Sequence, residues 1–253
     1  MSAPTVEADR SSAKYRTADG HVVTLEAPGF DVGGLWDSTV RIAPAKPDGR
    51  NPDDAYMREY NVTRQGNYDY VITHVLDAEV EQVLEAQGGQ FLIAISRRPD
   101  MQGVALWRGR WHEIATYLLP SQGGAGSTPL AAFDGLQFTD TPEGLLVAAP
   151  AASGLTVDVL DMCTNVPGVG EVELKQASKA LNMIPTWSGA PVPAGEVWVI
   201  DATQEFDTEN HRILFLASTS AVLTVTPDDT ASTDLSSPLS FLESVTTVSW
   251  TTS

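Results

Sequence analysis

The sequence predicts a mainly β protein: antiparallel, β-sandwich-like lobes carrying two short helices. Three observations predict it. Short segments alternate apolar and polar residues with period two. Gly, Pro, Asn and Asp recur between those segments, where reversing chains need them. Val, Ile, Thr and aromatic residues, which suit a pleated half-buried surface, fill the segments themselves. The chain has 253 residues, 42% of them hydrophobic and 19% charged, the balance of a folded globular protein. Folding at this length buries roughly 70–75% of the unfolded surface, so the core needs no disulfide or metal staple.

Taken in order, Ser2 to Ala18 is small, polar and charged without an apolar period, and reads as a flexible arm, with order beginning near His21. Val23 and Leu25 flank Thr24, and Val40 and Ile42 flank Arg41, as on strands. Tyr68, Tyr70 and Ile72 would share one strand face, with Asp69, Val71 and Thr73 on the other. A first helix is expected from Ala78 to Gln87: Asp77 can cap it, Glu79 and Glu81 suit its N-terminal dipole, and Gly88 ends it. Its apolar face would be Val80, Val83 and Leu84. Phe91 to Ile95 is a wholly apolar run, short enough for a buried strand. Phe133 to Val147 reads as two strands around the turn Thr141-Pro142-Glu143-Gly144.

The second helix is expected from Glu171 to Met183, with Leu174, Ala177, Ala180, Leu181 and Ile184 on one side and Pro185 closing it. Strand patterns then return at Val197–Ile200, Ile213–Leu216, Val222–Val225, and Val248 with Trp250. From Ala217 onward 18 of 37 residues are Ser or Thr. Leu223-Thr224-Val225-Thr226 and Thr246 to Trp250 nonetheless alternate, placing hydroxyls on a water-facing side, so the region is expected to be ordered, with Asp228 to Ser237 as a polar loop. Small residues around Pro150, from Ala148 to Gly154, mark a division. The expected organisation is an arm (1–18), a β-rich first lobe with one helix (19–152) and a β-sandwich-like second lobe with one helix (153–253). No fixed-period repeat points to a solenoid or propeller.

Charge narrows the partners. The net charge is −18, shared as −8 over residues 1–150 (12 basic, 20 acidic) and −10 over 151–253 (3 basic, 13 acidic). Nucleic-acid binding draws on Lys and Arg that displace counterions from phosphate, and no basic stripe is present. An anionic membrane is repelled for the same reason. The first ten residues lack the apolar region of a signal peptide, and Gly144 to Leu155, broken by Pro150, falls short of the roughly 20 residues of a spanning helix. Synthesis in the cytoplasm is therefore the expectation, with no nucleic-acid or membrane partner. Cys163 is the only cysteine and lies in the apolar segment Thr156 to Cys163, so it reads as a buried inert thiol.

Catalytic patterns are sparse. No Gly-x-Ser-x-Gly elbow occurs. Gly123-Gly124-Ala125-Gly126-Ser127-Thr128 lacks the Lys of a phosphate loop, and Gly168-x-Gly170 lacks the third glycine of a dinucleotide site. His21, His74, His112 and His211 are scattered, and His112-Glu113 is not followed by a second His one turn on. Asp53-Asp54 and Asp228-Asp229 read as solvated acidic turns rather than cation loops. Asn61-Val62-Thr63 matches a glycosylation acceptor. No cofactor, metal or catalytic residue is expected. An enzyme with a composite site remains a third class beside assembly and binding.

The candidate site is Trp107-Arg108-Gly109-Arg110-Trp111. If Gly109-Arg110 form a II′-type turn, Arg108 and Trp111 are cross-strand neighbours at a hairpin tip. Three readings stand for Trp107, Arg108, Arg110 and Trp111: a core Trp with a stacked Arg, an interface anchor, and a sugar-stacking plate.

Three segments carry a family resemblance: Trp107 to Pro120, Phe133 to Val147 and Val192 to Ile200. They resemble in style the minor tail and tail-tip proteins of long-tailed bacteriophages, β-rich virion proteins made without signal peptides. The resemblance implies a virion location and a subunit that forms a ring or collar at the tail end, by analogy with distal tail proteins, or connects the tube to fibres. It implies other virion proteins and copies of itself as partners, no catalytic site, and an N-terminal arm that orders on assembly. The competing expectation is a carbohydrate-binding β-sandwich module for host adhesion, with a glycan receptor as partner.

Overall fold

The computed structural model describes residues 10–44, 58–98, 103–118, 129–203, 210–228 and 234–252. In chain order the first strands are β1 (Ser12–Arg16), β2 (His21–Glu26), β3 (Asp37–Pro44) and β4 (Arg58–Arg64). A short helix, α1 (Asn67–Tyr70), continues into a wider π-type turn at Val71–Val75. Then come β5 (Ala78–Ala86), β6 (Gly89–Ser96), β7 (Gly103–Arg108), β8 (His112–Leu118), β9 (Gln137–Thr141) and β10 (Gly144–Ala148). The remainder is β11 (Leu155–Val166), β12 (Gly170–Gln176), β13 (Ala190–Val192), β14 (Gly195–Thr203), β15 (Asn210–Ala217), β16 (Ala221–Thr226), α2 (Ser236–Ser244) and β17 (Thr247–Thr252). The protein is mainly β, its sheets antiparallel, with two short helices.

The chain forms two compact units. One takes the described residues within Met1–Tyr15, Val22–Leu35 and Cys163–Thr252; the other takes Arg16–His21 and Trp36–Met162. Neither is contiguous in sequence, whereas the expected lobes, divided at Ala148 to Gly154, are. The difference comes from the N-terminal strands: β1 and β2 join β17, the last strand, in a three-stranded sheet.

In the unit built mostly from Trp36–Met162, strands run in the order β3-β4-β8-β7-β6-β5, with the start of β11 beside β3 and the β9–β10 hairpin separate. Directly paired residues point to the same side. One side carries Leu92, Ala94, Val104, Leu106 and Ala115, capped by Tyr68 and Ile72 of the α1 region. The other carries an aromatic cluster: Trp107 stacks on Phe138 at 4.8 Å, and Phe91 and Phe133 close the group. Burial pushes the Tyr60 hydroxyl up to about 12, and that hydroxyl donates to the Ala132 carbonyl.

In the other unit the order is β13-β14-β15-β16-β12 with the end of β11, and β1-β2-β17 forms a second sheet. Trp198, Phe215 and Val222 are buried together with Ala180. Phe241 of α2 meets Phe30 edge-on at 5.2 Å. In β17, Val248 and Trp250 are buried while Thr247 and Ser249 are half-exposed, the expected alternation.

Both helices lie elsewhere than expected. Ala78–Ala86 is the strand β5, paired with β6, and Gln87-Gly88 turns the hairpin with positive φ at both residues, 55° and 73°. Glu171–Met183 is also not helical: Val172 and Leu174 alternate inward along β12, opposite Val225 and Leu223 of β16. Beyond it a single 3-10 turn, Ala177–Lys179, buries Ala180 and leaves Leu181 exposed. Conversely, Tyr68 to Ile72, expected as a strand, is helical; Tyr68 and Ile72, four apart, are buried and Tyr70 is exposed. The polar loop expected to reach Ser237 ends at α2, whose Pro238, Phe241 and Leu242 face the core.

Two smaller expectations also change. Within the expected arm, residues 12–16 are the strand β1, with Ala13 buried and the Tyr15 hydroxyl donating to the Gly34 carbonyl at 2.8 Å; residues 2–9 lie outside the described residues. Thr224 does not face water, because β16 is buried on both sides between β12 and β15. No helix among the described residues is long and apolar enough to cross a membrane.

Candidate functional site

The residues singled out in sequence, Trp107 to Trp111, form the tip of the β7–β8 hairpin, as expected, but in a different register. Arg108 faces Glu113, not Trp111. The Gly109 N–H donates to the His112 carbonyl at 2.8 Å, so Arg110 and Trp111 are the central pair. Gly109 lacks the positive φ of a II′ turn. The reason is Asp140 on β9: its Oδ2 accepts the Trp111 N–H at 2.7 Å, and its Oδ1 lies 2.8 Å from His112 Nδ1. A carboxylate from another hairpin satisfies an amide within the turn that no strand partner reaches.

Behind the tip lies a buried ion network. Glu113 has no exposed side-chain surface. Its Oε1 accepts the Tyr68 N–H at 2.6 Å, and its Oε2 accepts Arg108 Nε at 2.7 Å. Arg108 also donates through Nη2 to Asp69 at 2.8 Å. Burial works against the Arg108 charge, but Asp69 and Glu113 outweigh it and push the guanidinium's pKa up. Trp107, 1% exposed, gives its indole N–H to the Ala86 carbonyl at 3.2 Å. Side chains at Gly89 or Gly109 would strike that indole, so glycines bracket it. Trp107 and Arg108 are thus core and core-edge groups. Arg110 and Trp111 remain at the surface, the guanidinium 4.8 Å above the indole in a cation–π pair.

No family model, curated protein or solved structure matches this chain. Function therefore has to be read from the geometry.

The histidines are used separately. His21 Nδ1 lies 2.9 Å from Asp19, His74 stacks on Tyr70 at 4.7 Å, and His112 sits on Asp140; the His211 side chain lies outside the described residues. Among the described residues no group of three or more His, Cys, Asp or Glu could hold a metal ion. Cys163 is half-buried on β11 rather than fully buried. Asp228 accepts from Asn165 at 3.2 Å. Asp229, Asp53-Asp54 and Gly123 to Thr128 lie outside the described residues. The acceptor Asn61-Val62-Thr63 lies within β4, where Thr63 is buried.

Sequence reasoning passed over a second aromatic feature. Trp187, in the loop before β13, is 61% exposed and borders an open groove of about 730 Å³. Its carbonyl accepts the Trp198 indole N–H at 2.8 Å, and the Gly189 N–H donates to Glu196 Oε2 at 2.9 Å. A Cβ at Gly189 would stand 2.7 Å from the Trp198 ring, so only glycine lets the loop cross that indole so closely. The available signal was a Trp amid turn formers, Pro185-Thr186-Trp187-Ser188-Gly189, where packing has no use for it.

Proposed function

We propose that this chain is a structural subunit of a virion, a tail-tip or minor tail component that joins copies of itself and other virion proteins. The observation that carries the reading is β5. It is nine residues long, stands at the edge of its sheet, and is exposed at every position after Ala78. Val80, Val83 and Leu84 offer apolar side chains on that edge. A long edge with apolar side chains is a template for another strand; β5 carries Glu79, Glu81, Glu85 and a bulge between Val80 and Gln82, but it is neither shortened nor broken by proline, two of the ways in which an unused edge is protected. The edge strand β13 is treated that way, with three residues and Pro191 in the middle. On the same edge Arg97 pairs with Glu79 and lies 3.8 Å from Asp77, which offsets part of the charge there, while Glu81 and Glu85 add to it.

The test is native mass by light scattering over a range of concentrations, for the wild type and a V80K/V83K variant. Both valines are about half exposed, so the variant should stay folded. A discrete wild-type oligomer that the variant loses supports the reading. A wild type that stays monomeric, alone and with the other proteins of its particle, overturns it.

A further inference from the structure

We propose that the groove beside Trp187 is a binding site for a neutral oligosaccharide. This inference does not rest on the assembly reading, since the groove and β5 share no residue. A sugar ring offers an apolar C–H face and a rim of hydroxyls, so its site needs a flat aromatic plate beside small polar groups. The groove has both. Trp187 presents its indole to solvent, Trp198 walls the floor, and Ser188, Ser218 and Thr247 stand around them. The plate is held in advance: the bond from Trp198 Nε1 to the Trp187 carbonyl and the bond from Gly189 to Glu196 fix the loop before any ligand arrives. Preorganisation of this kind removes part of the ordering cost of binding.

Charge selects among ligands of this shape. Among the described residues Glu196 is the only charged one lining the groove, in a chain of net charge −18, so sulfated, phosphorylated or uronic-acid polymers are repelled. A neutral glycan loses nothing to that field, and the carboxylate can accept from its hydroxyls. The volume, about 730 Å³, suits two or three sugar rings along an open surface. Proline-rich peptides also dock on aromatic grooves, but they need no carboxylate at the rim.

The experiment is calorimetric titration of the whole chain with N-acetylchitohexaose, cellohexaose and maltohexaose, with heparin and a polyproline peptide as controls. Intrinsic tryptophan fluorescence, compared between the wild type and Trp187→Ala, provides a second readout. The expected result is binding of at least one neutral hexasaccharide and none of heparin. Trp187→Ala should weaken that binding at least about thirtyfold, the scale of losing an aromatic anchor. Its thermal midpoint should match the wild type, since the ring is mostly exposed. Glu196→Gln should weaken binding less. Failure of all three sugars, binding that survives Trp187→Ala, or a preference for heparin or polyproline would each overturn the proposal.

Discussion

Glu113 shows what a single residue does here. Its carboxylate, without exposed surface, ends between the Tyr68 amide and the Arg108 guanidinium, and so ties the α1 region to the β7–β8 hairpin. Removing one partner of a buried pair leaves the other uncompensated, which costs more than the pair itself contributes. Glu113→Ala should therefore lower unfolding free energy by about 3 kcal/mol, whereas Asp69→Ala, at the exposed end of the network, should cost about 0.5 kcal/mol. Urea titration of both variants checks the contrast; equal losses would mean that burial does not set the strength of this network. In the sequence, Arg108 was legible as a hairpin-tip residue, but Trp111 was expected opposite it rather than Glu113, and the other partners of the network were not legible. Asp69 lies 39 residues from Arg108 and Asp140 lies 29 from Trp111, and no local period links them. Without Asp140 in view, the turn was set one residue too early. Trp187 was missed for the opposite reason: a lone aromatic in a loop belongs to no period at all.

The strands with strict alternation, β2, β3 and β17, were legible because their inward residues recur at every second position against one core. β5 was not, and its register explains why. Val80 pairs with Ala94 and Val83 with Leu92, residues on one side of β6, with a bulge between Val80 and Gln82. The extra residue, Glu81, keeps two valines three apart on a single face. That i, i+3 spacing is the signature of a helix, and Asp77 and Gly88 flank it as caps would. The hairpin is decided instead by its far end. Gln87 takes a positive φ that a side chain rarely adopts, and its amide bridges to β9: Nε2 donates to the Leu136 carbonyl at 3.1 Å and Oε1 accepts the Phe138 N–H at 3.0 Å. Gln87→Ala keeps the backbone strain and loses both bonds, so it should destabilise by about 1–2 kcal/mol. Gln87→Gly loses the same bonds but relieves the strain, and should cost less by about 0.5–1 kcal/mol. Chemical denaturation of the two variants decides; an alanine variant as stable as the wild type would remove the side-chain bridge from the account, and one no less stable than the glycine variant would remove the strain.

At the scale of the whole molecule the governing quantity is the charge of −18, shared as −8 and −10 between residues 1–150 and 151–253. A chain so acidic throughout repels its own copies at long range. If neighbours nevertheless join through the apolar edge of β5, the attraction is short-ranged and indifferent to salt, while the opposing repulsion is screened. Raising salt from about 0.05 M to about 0.5 M shortens the screening length from well over 10 Å to a few ångströms. Association of copies should then strengthen, and the weight-average mass should rise at fixed protein concentration. The sign separates two kinds of neighbour. A basic partner held by the acidic surface would be released over the same range, because its contacts are the ones being screened. Light scattering of the purified chain across this salt series is the measurement. Mass that rises with salt in the wild type and stays flat in V80K/V83K places the self-contact on β5. Mass that falls with salt would mean that copies meet through ion pairs, and the apolar edge would lose its part in joining them.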